Sequence, residues 1–465
     1  MKNNEITVQG IDGQMDNLIL TTNCGTSTDN LEDCVRMLFP QEGEIMPQLR
    51  FKGFEGVWER KLLSDCLEIS DEKNTDNHFG IDDVLSVSDD YGVVNQIELL
   101  GRSYAGKSVS GYKILRPGQI VYTKSPLRAK PYGIVKQNTG KVGIVSVLYA
   151  VYNAKEGIAP EYIHYYFDPA WRLNAYMRPL VNKGAKNTMN ISDETALTGY
   201  IMIPKEIEEQ KRIASFFRRL DEQIAMQQQR LERLKQMKQA CLSSLFADNQ
   251  TLTPPLRFKS FEGKWIRKSF LKIFIFLKNN SLSRAELDVT GNVMNLHYGD
   301  ILIKYGDLID MKKETLPFIK NTALATELAE SSQLQNGDVI FADAAEDKTV
   351  GKCAEIISMG KNVVVSGLHT IPCRQLIVFS EGFLGYCLNS PSFHDQLLPL
   401  IQGSKISSIS KKALASTYIT YPKSLEEQRR IASFFRNLDK RISLRTKQLE
   451  KLKQTKKACH SQMIS

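Results

Sequence analysis

One stretch of the sequence matches the pattern of a phosphate-binding loop. Residues 101–108 read GRSYAGKS, in which backbone amides would cradle phosphates while Lys107 and Ser108 would serve phosphate and Mg²⁺. Such a loop must open a helix, yet VSGY follows it, which is rich in poor helix formers. No apolar strand ending in Asp stands out as a magnesium partner. The pattern therefore favours a basic surface loop, one that could contact DNA, over a nucleotide site.

A second group, Asp338 with Glu346 and Lys348, could supply the carboxylates and the lysine of a metal-dependent nuclease. The three residues are close in sequence, and Gln119 stands at the place in the first half that matches Asp338. Roles in a turn and at a strand end explain them better. A self-contained nuclease or nucleotide-driven enzyme remains the competing interpretation, and a coiled-coil scaffold without a nucleic-acid role is a third.

Other catalytic and metal signatures are missing from the sequence. The six histidines are never at metal-ligand spacing, and the eight cysteines include no Cys-x-x-Cys pair. The sequence has no glycine-rich loop after a strand, and no Asn or Asp followed by Pro-Pro and an aromatic residue, as methyl transfer would require. We therefore predict a protein that is not an enzyme, with no catalytic, cofactor-binding or metal-binding residues of its own.

Two long helices would position whatever the chain binds. The sequence of residues 204–246 returns from residue 422 at a constant offset of 218, and Ser424 with Glu427 predicts a capping box at the second start. Apolar residues recur at alternating spacings of four and three, as in a coiled coil. At about 1.5 Å per residue each helix is about 60 Å long, which predicts two spacers that pair antiparallel. The residues predicted to pair the helices are Ile213, Phe217, Leu220, Ile224, Leu231, Leu234, Ile431, Phe435, Leu438, Ile442, Leu449 and Leu452.

A second repeat relates residues 34–58 to residues 241–265 at an offset of 207. The chain is therefore a twofold internal repeat, with mixed α and β segments between the repeated parts. The predicted boundaries are 1–33 for a poorly ordered extension, 34–203 for the first half with its mixed α and β domain, 204–246 for the first spacer helix, 247–421 for the second half with its own such domain and 422–465 for the second helix. Predicted strands cover 112–115, 119–123, 143–147, 338–342 and 362–366, and predicted shorter helices cover 161–174 and 381–388.

Charge and composition bound the partners and the compartment. The net charge is +9, and the second long helix, residues 423–457, carries twelve Lys and Arg against four Asp and Glu. This excess fits nucleic-acid phosphates or an acidic partner as well as it fits a solvated helix face. Without a leader or a long apolar run, and with scattered thiols, the sequence predicts a soluble, cytoplasmic protein.

The doubled helix starts carry a resemblance to a known family. PKEIEEQKRIASFF and PKSLEEQRRIASFF each follow a variable segment, and LRFKGFEGVW and LRFKSFEGKW open the two halves. From Cys34 to its end, the chain resembles the DNA specificity subunit of a type I restriction-modification system. The resemblance implies two target recognition domains, each reading one half of a split DNA target, on a central antiparallel helix pair. It also implies methyltransferase and restriction subunits as partners, which would carry S-adenosylmethionine, ATP and Mg.

For contact with double-stranded DNA, we expect loops that combine Lys or Arg with Asn, Ser or Tyr, because cations neutralise phosphates and Arg or Asn can read base edges. In the first half these residues are Arg102, Tyr104, Lys107, Lys124, Arg128, Lys130, Lys183, Lys186 and Asn187. In the second half they are Lys304, Tyr305, Lys348, Lys352, Lys361, Asn362 and Lys405. A solvated surface role is the alternative for each of them.

Overall fold

The computed structural model describes residues 4–8, 18–22, 49–127, 129–183, 189–347, 349–403 and 406–461. The chain divides into two compact units, one formed by residues 1–228 and 448–465 and the other by residues 229–447. Both units mix helices and strands, as the sequence predicted. Among the described residues, no helix combines the length and the apolar character needed to cross a membrane.

The first unit contains fifteen strands and four short helices among its described residues. Its strands are β1 Asn4–Val8, β2 Leu18–Thr22, β3 Leu49–Phe51, β4 Glu59–Leu62, β5 Leu67–Ile69, β6 Leu85–Ser88, β7 Gly92–Asn95, β8 Lys113–Leu115, β9 Ile120–Thr123, β10 Val135–Gln137, β11 Gly143–Val145, β12 Tyr149–Ala154, β13 Asn182–Lys183, β14 Met189–Asn190 and β15 Tyr200–Ile203. Its short helices are α1 Leu63–Cys66, α2 Gln96–Leu100, α3 Pro160–Phe167 and α4 Ala170–Met177.

A four-stranded sheet in the order β10-β9-β12-β5 forms the centre of the first unit. Strand β9 is buried along its whole length, and apolar side chains of α3 and α4 cover the sheet. The main core joins Tyr122 of β9 and Tyr162 of α3 to Trp58, the last residue of the LRFKGFEGVW phrase. Strands β4 and β15 pair antiparallel, so the segment between them leaves and returns at one place.

The second unit repeats this framework with different additions. Its strands are β16 Ile266–Ser269, β17 Phe274–Phe276, β18 Leu287–Asp288, β19 Met294–Leu296, β20 Leu308–Asp310, β21 Phe318–Ile319, β22 Val339–Ala342, β23 Ala344–Ala345, β24 Cys353–Ile357, β25 Val364–Ser366, β26 Thr370–Gln375, β27 Ser407–Ser408 and β28 Tyr418–Tyr421. After the long first helix, its helices in chain order are α6 Tyr298–Ile303, α7 Thr322–Ser332, α8 Phe383–Asn389, α9 Pro391–His394 and α10 Lys411–Ala415. The central sheet runs β17-β26-β22-β24-β20, and β16 pairs with β28 as β4 pairs with β15.

The two predicted long helices are present. They are α5, Ile207–Ser244, and α11, Leu425–Ser461, so each starts three residues after its proline. The first half of α5 and the last part of α11 belong to the first unit, and the remaining halves belong to the second. In the second unit, Phe246 lies just beyond the end of α5 and stacks on Phe435 of α11. Lys238, which comes earlier on α5, contacts Asp439, which comes later on α11. The two helices therefore run antiparallel there.

The repeated block at each helix start fixes the helix to its own domain. In the first unit, Arg50 binds both carboxylate oxygens of Glu209 at 2.6 Å. The Gln210 side chain accepts a bond from the Ala159 amide and donates to the Pro204 carbonyl. The second unit repeats the ion pair, with Arg257 bidentate to the Glu427 carboxylate at 2.7 and 2.8 Å. Bidentate charged bonds of this kind are strong and set a defined geometry.

The ion pair between an arginine and a helix-start glutamate, which we call the lock, means that the predicted capping box is only half formed. The Ser424 hydroxyl accepts a bond from the Glu427 amide at 3.3 Å, so the forward half of the motif is present. The Glu427 carboxylate does not return to the helix start, because it binds Arg257 and the Trp265 indole instead.

A second correction concerns the helix predicted over 161–174, which is broken into α3 and α4 at Asp168 and Pro169. Asp168 keeps helical angles, and the chain becomes extended, with ψ of 119°, at Pro169, whose ring has no amide hydrogen to continue the helix.

The predicted pairing residues divide into two groups. Those in the first turns, Ile213, Phe217 and Leu220 in one unit and Ile431 and Phe435 in the other, join the domain cores. Leu438, Leu231, Leu449 and Leu452 are also buried, while Ile224, Leu234 and Ile442 are half-buried. At the helix starts, the residues of the heptad pattern therefore pack the helix against its domain. The sequence predicted only that they pair the two helices.

Two lysines at equivalent positions of the repeat form ion pairs near the ends of the long helices. In the first unit, Lys456 of α11 contacts Asp221 of α5 at 2.6 Å and Asp168 at 3.2 Å. In the second unit, Lys238 of α5 contacts Asp439 of α11 at 2.6 Å and Asp307 at 2.6 Å. The helix carboxylates occupy repeat-equivalent positions, whereas the domain carboxylates come from different places. Burial opposes the charge of each lysine, but the paired carboxylates outweigh it, so the pKa of both lysines is raised.

The predicted extension, residues 1–33, is only partly described. Within it, β1 pairs antiparallel with β2, and β2 in turn pairs with β3. That residues 1–33 are poorly ordered stays a prediction. The remaining residues of this region lie outside the described part of the chain.

Candidate nucleic-acid interface

The stretch that matches a phosphate-binding loop has the wrong context for one. Residues 101–108 follow helix α2 and do not open a helix, because Gly101 closes α2 with φ of 74°. A turn and strand β8 come next. The Arg102 guanidinium lies 4.6 Å from the centre of the Tyr104 ring, and Lys107 is exposed. The loop is therefore an exposed basic and aromatic surface, as the sequence favoured.

The residues of the competing nuclease interpretation have other roles where they are described. Asp338 is 1% exposed, and Arg374 binds its two oxygens at 3.0 and 2.7 Å. Glu346 is exposed, and Lys348 lies outside the described residues. In the described part of the chain, no cluster of three or more His, Cys, Asp or Glu side chains could hold a metal ion.

In both units, the residue that follows one central strand lies beside the turn that precedes the neighbouring strand. We call this region the strand-end surface. In the first unit it consists of Lys124 after β9 and the turn 146–148 between β11 and β12. The Lys124 amide binds the Leu148 carbonyl at 3.2 Å, and the Val147 and Leu148 side chains are exposed. Lys124 and Lys113 both bind the carboxylate of Asp193. Burial favours a higher pKa for Asp193, but these two hydrogen bonds outweigh it and the pKa is lowered.

In the second unit the strand-end surface has Asp343 after β22 and the turn 367–369 between β25 and β26. The Asp343 amide binds the His369 carbonyl at 3.1 Å, which repeats the backbone bond of the first unit. The Asp343 carboxylate contacts Nδ1 of His369 at 3.1 Å. Burial raises the pKa of Asp343 against the opposing effect of His369. Asp343 and His369 were not singled out from the sequence, because a single acid and a single histidine carry no motif.

The predicted DNA contacts of the first half fall into three groups. Arg102, Tyr104 and Lys107 are exposed on their loop, whereas Lys124 is held by Asp193. Lys130 is 8% exposed and binds Asp89 and the Asp168 carbonyl, so the structure gives it a role inside the protein. Lys183 belongs to strand β13, and its side chain is not described. Arg128, Lys186 and Asn187 lie outside the described residues.

The predicted contacts of the second half divide similarly. Lys304 and Lys361 are exposed, and Asn362 donates to the Met311 carbonyl. Tyr305 is 4% exposed in a core cluster. Lys352 is turned inward to the carbonyls of Leu302 and Tyr305, and burial lowers its pKa. These two residues have structural roles instead of the expected one. Lys348 and Lys405 lie outside the described residues.

A groove of about 1690 Å³ beside α5 in the first unit is a poor phosphate site. Its charged lining residues are Lys130, Lys136, Lys211, Arg218, Lys453, Lys456, Asp89, Asp90, Glu161, Asp168, Asp221 and Glu222, six of each sign. Lys136, for example, binds Asp168 at 2.6 Å. Because the groove has no excess of positive charge, the exposed loops and the strand-end surface are the better candidates for nucleic acid.

Comparisons with known proteins agree with this architecture. The family model for the type I restriction modification DNA specificity domain matches residues 58–236 and again residues 290–454. The chain therefore belongs to the family of type I restriction-modification DNA specificity subunits, and it contains two matches to this domain. No curated protein matches the chain.

One of the similar solved structures shows the same fold at low sequence identity. The S subunit of a type I restriction-modification system from M. genitalium is 12% identical with a TM-score of 0.54, over 89% of this chain and 97% of that one. The HsdS subunit from Thermoanaerobacter tengcongensis is 16% identical with a TM-score of 0.42, over 87% of this chain and 95% of that one.

Proposed function

We propose that this chain reads a bipartite double-stranded DNA target, one half per unit, and directs methyltransferase and restriction subunits to it. The observation that carries the proposal is the shared framework of the two units, which ends in different side chains. Strands β5, β12, β9 and β10 have counterparts in β17, β26, β22 and β24, with the same neighbours. At equivalent ends of these sheets, Lys124 and Leu148 stand in one unit where Asp343 and His369 stand in the other. A rigid frame with different loops is suited to reading two different sequences.

The long helices supply the spacing in this proposal. With 38 and 37 residues, α5 and α11 are about 57 and 56 Å long at 1.5 Å per residue. The ion pairs of Arg50 with Glu209 and of Arg257 with Glu427 fix each helix start to its domain, so a change in helix length is transmitted to the domain.

The chemistry belongs to the partners in this proposal. Methyltransferase subunits would bring S-adenosylmethionine, and restriction subunits would bring ATP and Mg. Exposed basic side chains along α11, including Lys440, Arg441, Lys451 and Lys453, offer these subunits a surface away from the domain cores.

A domain exchange tests the proposal. Residues 59–203 would be replaced in the full chain by the corresponding segment of a relative with a different target, and methylated sites would be mapped across the genome of a host carrying the partner subunits. One half of the methylated sequence should change and the other should remain. A chimera that changed both halves would contradict independent reading, and methylation or cleavage of DNA by the purified chain alone would contradict the division of labour. The reciprocal exchange of residues 266–421 is the matched control.

A further inference from the structure

The turn between β25 and β26 holds a histidine in an unusual backbone conformation. His369 has φ of 55°, in the left-handed region that residues with a Cβ adopt rarely. Its side chain is nevertheless 50% exposed, so burial of the ring does not explain the conformation. Such strain persists only where the surroundings impose it, and it is often found at binding sites.

The surroundings of His369 do impose this conformation. The Asp343 amide binds the His369 carbonyl, and the Gly367 amide binds the Leu296 carbonyl at 2.9 Å. A Cβ at Gly367 would lie 2.5 Å from the side-chain nitrogen of Asn295 and 2.9 Å from the Leu296 carbonyl, so only glycine fits this approach. Hydrogen bonds from the Tyr298 amide to the Leu368 carbonyl and from the Asn279 side chain to the Gly367 carbonyl also hold the turn, so its backbone is fixed at several points.

The imidazole itself is also held in place. Its Nδ1 lies 3.1 Å from the Asp343 carboxylate, and the Tyr298 ring meets it edge-on with centres 5.3 Å apart. Because a carboxylate accepts, Nδ1 carries the proton, and in the neutral ring Nε2 is then an acceptor. The ring is therefore oriented before any ligand arrives, which is what precise recognition requires.

The first unit has a different side chain at the equivalent position. Tyr149 pairs with Thr123 as Thr370 pairs with Ala342, which places Leu148 where His369 stands. Leu148 is 57% exposed and apolar. One frame thus presents an apolar side chain in one half and an oriented acceptor in the other, as expected where two halves read different bases.

We propose that His369, oriented by Asp343, is a specificity-determining residue that accepts a hydrogen bond from the amino group of an adenine or a cytosine in the DNA half read by the second unit. This inference rests on the proposed function of the chain. Adenine and cytosine are the bases that offer an amino donor in the major groove. Asp343 is a positioning residue in this arrangement.

The test uses the full chain in complex with its methyltransferase partner. Wild-type methylation maps give the two half-sequences, and binding is then measured for duplexes that change one base pair of the target at a time. His369→Gly tolerates the left-handed backbone without a side chain, and His369→Ala removes the ring. Both variants should lose about tenfold of their discrimination at one adenine or cytosine position of the second half, with the other positions unchanged. Asp343→Ala should weaken discrimination at that same position.

Two controls separate the outcomes. His78→Ala removes another exposed histidine and should change no position, and Leu148→Ala should leave the second half unchanged. Unaltered discrimination in His369→Gly and His369→Ala, a uniform loss at all positions, or a loss at a position without an adenine or cytosine would each overturn the role of His369. If the wild-type chain showed no sequence preference in DNA binding, the proposed function itself would fail, which is a different result from an unaffected variant.

Discussion

Replacing Lys456 with methionine should loosen the end of α11 from the first unit. The Lys456 ammonium contacts Asp221 and Asp168, and methionine keeps the length of the side chain while it removes the charge. Asp168 is 7% exposed and Asp221 is 36% exposed, so the variant leaves two carboxylates close together without this cation.

The magnitude follows from what each carboxylate retains. Removing one partner of a buried pair typically costs about 3 to 5 kcal/mol. Asp168 still has Lys136 at 2.6 Å, and the partly exposed Asp221 can be solvated, so we expect a loss of about 2 to 3 kcal/mol. For a unit of this size, that corresponds to a fall in Tm of roughly 4 to 12 °C.

The loss should also depend on pH. Burial already raises the pKa of Asp221 against the opposing effect of Lys456, and without the lysine this pKa rises further. A carboxyl whose folded pKa is raised contributes most to stability below its unfolded pKa, and the contribution is lost as the pH rises through the folded value. The deficit of Lys456→Met should therefore be larger at pH 8 than at pH 5.

Thermal unfolding of the full chain at both pH values measures the effect. Lys453→Met, three residues earlier on the same helix and exposed, is the matched control and should change Tm little. Adding Asp221→Asn to Lys456→Met should recover part of the loss, because the uncharged amide needs no cation. A loss below 1 kcal/mol, or a double variant no more stable than Lys456→Met, would refute the reasoning.

Four further predictions follow from the structure. Arg257→Met should cost about 3 to 5 kcal/mol in unfolding experiments, because it leaves the buried carboxylate of its partner uncompensated, and a variant as stable as the wild type would contradict the lock. Burial raises the pKa of Glu355 to about 7 from 4.5, so its contribution to stability is lost as the pH rises through 7, and Glu355→Gln should flatten the fall in Tm between pH 5 and 8. Charge reversal at Lys451 and Lys453 should reduce co-purification of a methyltransferase subunit, and unchanged complex formation would place that interface elsewhere. Four residues inserted near Gln228 lengthen α5 by about 6 Å, so methylation maps should show the same half-sequences with a gap one or two base pairs longer; an unchanged gap with retained activity would argue against the helix as a ruler.

The long elements of this fold were predictable because they rest on patterns repeated within one chain. The helices over 204–246 and 422–465 and the five predicted strands all appear within a few residues of their predicted bounds. The break between α3 and α4 was missed although Pro169 marks it, because the apolar spacing continues across the proline. That break frees the Asp168 carboxylate to bind Lys136 and Lys456, a consequence that appears only after folding.

The site was less predictable than the fold. Lys130 and Lys352 have the residue type of a phosphate contact, but both turn inward to carboxylate or carbonyl oxygens. Composition cannot distinguish a lysine that a buried acceptor satisfies from one that remains free for DNA. Likewise, His369 is a candidate because of its backbone angle φ, its contact with Asp343 and its place in a turn. All three are properties of the folded chain.

The position of each recognition segment explains how its specificity could diverge without loss of the scaffold. Strands β4 and β15 pair over four residues, from Glu59 with Ile203 to Leu62 with Tyr200, so the intervening segment enters and leaves at one ribbon beside the start of α5. Strands β16 and β28 repeat this ribbon in the second unit. The locks of Arg50 on Glu209 and of Arg257 on Glu427 lie outside the ribbons, on the side of the helices. An exchange of residues 59–203 carries both paired strands with it and leaves both locks intact, so residues 59 and 203 are physically suitable junctions for the domain exchange that tests independent reading.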